Sequence, residues 1–199
     1  MTAAFFASPP DALKAALDGI QRRAATRGFL TPNLQKADPK ALQLCWPHRL
    51  AFVQLNELLA NETLRGAARI SGWRFFVFDS KAPIAAAHVM RTDRGELRLS
   101  ELNEGQFVVN TLDALKTIFE AGNESKDELN LPSFELLLLV APAVCFVGWW
   151  AQFEDQHDDW VLPVTPTVRG IEPKRIEPKK LIPLLKEEFF RASHDLVTS

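Results

Sequence analysis

The chain has 199 residues, 47% of them hydrophobic, with a formal net charge of −2 and a pI near 6.1. That is enough apolar material for a full core, and too little charge to draw the chain to nucleic acid or an anionic membrane surface. Its two cysteines, Cys45 and Cys145, lie far apart in different apolar settings, so two buried, reduced thiols are expected rather than a disulfide.

The N-terminal sequence MTAAFFASPPD lacks the basic n-region of a secretory leader, and a cytoplasmic protein is expected. Ser8-Pro9-Pro10-Asp11 reads as a helix start, with a serine cap, an early proline and a carboxylate in the first turn. Leu13, Leu17 and Ile20 form its apolar stripe. Arg22, Arg23 and Arg27 suit the dipole of its last turn, and Gly28 stops it. Asp38-Pro39 predicts a second, short helix ending before Pro47, and Leu50 to Ala60 has helical spacing with Phe52, Leu55 and Leu59 on one side. The expected organisation is a helical segment over 1–60 and a sheet domain over 61–199, or one continuous domain.

From Gly72 the period changes to two. Trp73, Phe75 and Val77 alternate with Arg74, Phe76 and Phe78 in a mostly buried strand. The turn at Asp79 to Pro83 leads into a strand over Ile84 to Met90. Thr92-Asp93-Arg94-Gly95 turns again into a strand over Glu96 to Leu102. Short connections make these three antiparallel neighbours. Asn110 and Asp113 open a helix that turns Leu112, Leu115, Ile118 and Phe119 inward and ends at Gly122, and a polar loop follows over Asn123 to Asn130.

The densest apolar stretch, Phe134 to Pro166, is expected at the centre of the sheet. Glu135, Pro142 and Gly148 break it too often for a membrane span. It divides into strands over Phe134 to Val140 and Val144 to Phe153, the second with Val147, Trp149, Ala151 and Phe153 on one face. Glu154 to Asp159 turns the chain into a return strand from Trp160 to Val164, which Pro163 places at a sheet edge. Ile171 to Lys180 repeats Ile-Glu-Pro-Lys and reads as an extended strap. Leu181, Leu184, Leu185 and Phe189 predict a closing helix with Pro183 in its first turn.

This order predicts an α+β fold with a predominantly antiparallel sheet of about six strands, packing helices and an N-terminal helical segment. The run GWRFFVFDSKAPIAAAHV, then ELNEGQFVVNTLDAL, VAPAVCFVGWWAQ and DDWVLPV, resembles an uncharacterised bacterial protein family of unknown function. The resemblance covers Leu58 to about Phe190. It implies the strand topology and a bacterial origin, and it carries no site residue.

The acidic turn offers a divalent-cation site from Asp155, His157, Asp158 and Asp159, though it lacks the ligand alternation and tight-turn glycine of a calcium loop. His88 follows three alanines, whose small side chains leave room for a helix or a ligand. A ligand pocket there would draw on Trp73, His88, Trp149 and Trp150. Cys145 lies between Val144 and Phe146, and Cys45 lacks a second metal-ligand pair, so both read as packing residues. No phosphate loop, nucleophile elbow or cofactor fingerprint occurs, and the sequence implies no cofactor. In the strap, Glu172 and Glu177 dilute Arg169, Lys174, Arg175, Lys179 and Lys180, which argues against nucleic acid. The first expectation is therefore a non-catalytic protein-interaction module, a homodimer or partner-binding protein using the tryptophan-bearing sheet or the N-terminal helices. The rival is a small-ligand binder or hydrolase-like enzyme using His88, His157 and the acidic turn.

Overall fold

The structure, a computed structural model, describes residues 3–4, 8–26, 28–80, 82–123 and 134–198. The expected polar loop after Asn123 and the contribution of Arg27 to the first helix lie outside the described residues, as does the His157 side chain. The chain has an α+β fold on a mostly antiparallel sheet and divides into two compact units. Among the described residues no helix is long and apolar enough to cross a membrane.

One unit comprises Phe5–Arg49 and Ser71–Leu112. It holds helices α1 (Pro10–Thr26) and α2 (Pro32–Lys36), and most of strands β2 (Gln43–Val53) and β3 (Ala68–Asp79). Strands β4 (Ala82–Arg91) and β5 (Leu97–Asn103) and the first turns of α5 (Gln106–Asn123) complete it. The strand order is β5-β4-β3-β2, and the β3–β4–β5 meander is antiparallel as its short turns require. One sheet face carries Phe75, Val77, Ala85, Ala87 and Val89 against the α1–α2 segment. Helix α1 buries Ala12, Ala16 and Ile20 rather than the expected stripe through Leu13 and Leu17. The helix lies so close to β5 that a Cβ on Gly19 would come within 2.3 Å of the Leu99 Cβ, so only small side chains fit beneath it.

The helices expected from Asp38 to Pro47 and from Leu50 are corrected. Gln43–Val53 is a strand, and only Leu55–Ala60 (α3) of the second is helical. Here pairing with neighbouring strands overrides a spacing that also fits a helix.

The other unit comprises Met1–Ala4, Leu50–Ile70 and Asp113–Ser199. Its strands are β1 (Ala3–Ala4), the end of β2, β6 (Phe134–Ala141), β7 (Phe146–Phe153) and β8 (Trp160–Pro163). In the order β2-β6-β7-β8, with β1 parallel to β6, the apolar stretch supplies the last three strands of the sheet path rather than its expected centre, with the proline-bearing β8 at the end. The strap reaches β8 through one bridge, Val161 with Ile176. Helices α3, α4 (Leu64–Ala67) and α6 (Pro178–Thr198) close a core of Leu58, Leu137, Leu139, Trp150, Leu181 and Leu185. Pro183 sits past the first turn of α6, so the helix continues through it without that backbone donor. Cys145 is exposed at φ 51°, closing a 3-10 turn over Pro142–Val144, and corrects the expected buried thiol; Cys45 is half-buried, and both are free.

Candidate functional site

The face of β2–β5 away from α1 carries the unusual chemistry. Alternation along β3 turns Arg74, Phe76 and Phe78 to this side, while Trp73 and Phe75 pack toward α1. Cross-strand pairing sets His88 beside Arg74, and Glu101 beside His88. The register slips between His88 and Val89, leaving Ser100 as an extra residue of β5 whose hydroxyl donates to the His88 carbonyl at 3.1 Å. On β2, Trp46 stands at φ 51°, a left-handed conformation rare for a bulky residue. It meets Phe76 and Phe78 edge-on, and His48 lies 5.4 Å from the Phe76 ring centroid. The first turn of α5 brings Phe107 over the guanidinium.

Arg74 is the decisive residue. Its side chain is 1% exposed, and none of Nε, Nη1 or Nη2 has a hydrogen-bond partner. Two aromatic rings flank it, with the Phe76 and Phe107 ring centroids 5.3 and 5.8 Å from the guanidinium carbon. Burial pulls its pKa down to about 10. An ionised group in an apolar setting costs several kcal/mol unless it is paired, and ring faces at this distance return only ~1 kcal/mol each.

Both histidines on this face are held neutral. Burial first, and the Arg74 charge second, push His88 down to about 4, against the pull of Glu101. His88 Nδ1 stands 3.4 Å from Glu101 Oε2, so at neutral pH this is a dipole leaning on a carboxylate and not an ion pair. That contact favours the proton on Nδ1, leaving the Nε2 lone pair, which is buried without a partner. His48 is lowered well below its ordinary value by burial and then Arg74, and its Nδ1–H donates to the Trp46 carbonyl at 2.8 Å. The result is one fixed positive charge flanked by neutral imidazoles in an aromatic enclosure.

Compared with protein-family models, curated proteins and solved structures, the chain matches none. Its function must therefore be argued from these residues.

The other expected site residues are placed differently. Trp73 lies on the opposite side of β3 from His88, where α1 fills the space. Trp149 and Trp150 are fully buried in β7, in the other unit. Asp159 is buried and saturated: it accepts from Arg65 Nε at 2.9 Å and Nη2 at 2.7 Å, from Phe153 N–H at 2.9 Å and from Trp150 Nε1 at 3.3 Å. It thus clamps the turn to α4 and β7 rather than standing open for a cation. Asp158 ends a 3-10 turn with Gln156 and His157, and Asp155 precedes it. Among the described residues no group of three acidic, histidine or cysteine side chains is arranged to hold a metal. A cleft of about 230 Å³ opens beside this turn between Thr63, Arg65, Gln156, Glu177 and Lys179. Its walls mix both signs of charge, and its buried carboxylate is already paired.

Of the residues on the Arg74 face, the sequence reading singled out His88 alone. A signal for Arg74 was present, since it is the one charge in the otherwise apolar run Trp73 to Phe78. Trp46 falls in a segment whose spacing predicts a helix, and His48 lies between that segment and the helix expected from Leu50.

Proposed function

We propose that the protein binds a small ligand at the face formed by Trp46, His48, Arg74, His88 and Phe107. The observation that carries this reading is the buried Arg74 guanidinium with no hydrogen-bond partner, because perturbed ionisable groups cluster at functional sites. The left-handed Trp46 and the register slip at His88 support it, since backbone irregularity concentrates where side chains are aimed at a task. Arg74 supplies fixed charge, the imidazoles supply neutral polar atoms, and the rings exclude water.

The protein-interaction reading draws less support. Trp149 and Trp150 of the tryptophan-bearing sheet are inside the molecule, and the exposed Leu30, Leu59, Ile70 and Phe190 are spread along the chain, while the exposed Trp46 and Phe107 belong to the Arg74 face. The bacterial origin implied by the resemblance and the cytoplasmic setting expected from the N-terminal sequence and the reduced cysteines belong to the same proposal. Thermal unfolding with a mixed panel of neutral and charged metabolites tests the reading. At least one compound should raise the melting temperature of the wild type and leave Arg74→Met unmoved. Equal responses from both proteins would place the ligand elsewhere.

A further inference from the structure

We propose that the ligand of the Arg74 face is a small carboxylate bearing a hydroxyl on the neighbouring carbon. This rests on the ligand-binding reading above and adds the chemical class.

Charge comes first. Arg74 is the one cation of the cluster at neutral pH, and desolvation is the only cause of its displaced titration, so among the described residues no carboxylate balances it. Glu101 leans on His88 and is largely exposed. A monoanion makes the enclosure neutral. A dianionic phosphate would bring a second, uncompensated charge into the same apolar surroundings. The fork of a guanidinium also matches a planar carboxylate, with two parallel N–H donors meeting two oxygens.

The hydroxyl follows from His88. It is the direct cross-strand neighbour of Arg74, its Nδ1 is turned to Glu101, and its buried Nε2 has a lone pair and no donor. Cross-strand neighbours stand about 5 Å apart at Cβ, so one small ligand can meet both side chains. An amino group in place of the hydroxyl would be cationic and would be repelled by Arg74. A hydroxyl donates to Nε2 without adding charge.

Phe107 marks the entrance. It covers the guanidinium, yet it is 39% exposed, so Arg74 lies one aromatic ring from solvent. The ring sits at the start of α5, two residues after Gly105 at φ +102°.

Glycolate, acetate, glycolamide and inorganic phosphate, at matched ionic strength, separate these contributions. Binding is read by thermal unfolding and by the imidazole NMR signals of His48 and His88. Glycolate should stabilise the wild type and bind about tenfold tighter than acetate, glycolamide or phosphate, the size of one lost hydrogen bond. Arg74→Met should lose the glycolate response. Arg74→Lys, which keeps the charge and loses the fork, should weaken it about tenfold, and it serves if the first variant folds poorly. His88→Phe should erase the preference for glycolate over acetate. Glycolamide equal to glycolate in the wild type would overturn the carboxylate while leaving a ligand site at this face. Acetate equal to glycolate would overturn the hydroxyl. No response to any probe would overturn the inference, and the ligand-binding reading would fall with it only if the wider metabolite panel were also silent.

Discussion

Replacing Arg74 by methionine should make the ligand-free protein more stable, although the side chain is fully buried. A guanidinium ordinarily titrates above pH ~12, and burial brings Arg74 down to about 10. At ~1.4 kcal/mol per pH unit, keeping the charge in the folded state costs about 3 kcal/mol. A methionine of similar length removes that cost and also gives up two ring contacts near the outer limit of cation–π range, worth about 1 kcal/mol each. The net gain is therefore about 1–2 kcal/mol, or a rise in melting temperature of roughly 2–8 °C for a chain of this size. The sign with pH is fixed by the direction of the shift. The folded state disfavours the protonated group, so the penalty is fully present below pH 10 and fades only above it. The gain should thus be constant across neutral pH. Urea unfolding followed by tryptophan fluorescence, in buffers free of carboxylates, measures it directly. A loss of more than about 2 kcal/mol would refute the reasoning, because it would mean that the guanidinium anchors the fold through partners of its own.

Three further outcomes follow from the same geometry. His88→Gln should flatten the acid limb of the stability curve: with the folded pKa of His88 near 4, against an ordinary 6.5, up to about 3 kcal/mol is present above pH 6.5 and is lost as pH falls toward 4. His48, Arg74 and Glu101 are the charged or titratable groups around it, and His48 leaves a residual slope of the same sign, so pH-dependent unfolding should show a reduced slope rather than none. Asp159→Asn should cost about 3 kcal/mol, because an amide cannot serve the donors of Arg65, Phe153 and Trp150 together, and denaturant unfolding should show a lower midpoint with an unchanged slope. Cys145→Gly should raise the melting temperature through a gain of about 1 kcal/mol, since φ 51° burdens a side chain and suits glycine; a drop would show that the thiol makes a stabilising contact.

Much of the sheet could be read directly. Trp73 to Phe78, the alanines before His88, and the two halves of the stretch from Phe134 to Phe153 are patterned clearly enough that most strand ends follow within a residue or two, although the strand expected from Gly72 begins at Ala68. The errors occurred where two periodicities competed. Leu50, Phe52 and Leu55 fit a helix as well as a strand, and the strand β2 that carries Trp46 and His48 was lost to the helical reading. The large leucines of α1 looked like its buried face, whereas a close approach to β5 selected alanine and glycine. Asp159 looked like part of an open acidic turn until Arg65, 94 residues away in sequence, was seen to occupy it.

By itself the sequence determined what local chemistry dictates: the class of fold, the order of strands and helices from Trp73 onward, and the burial of the apolar stretch. Local pattern suffices for these because burying an apolar stripe requires a particular period whatever lies opposite. Only the tertiary structure decided which polar groups ended up together. Whether a buried arginine is neutralised, or stands beside an imidazole with its lone pair unused, depends on side chains brought in by other strands and helices, and no spacing along the chain records that.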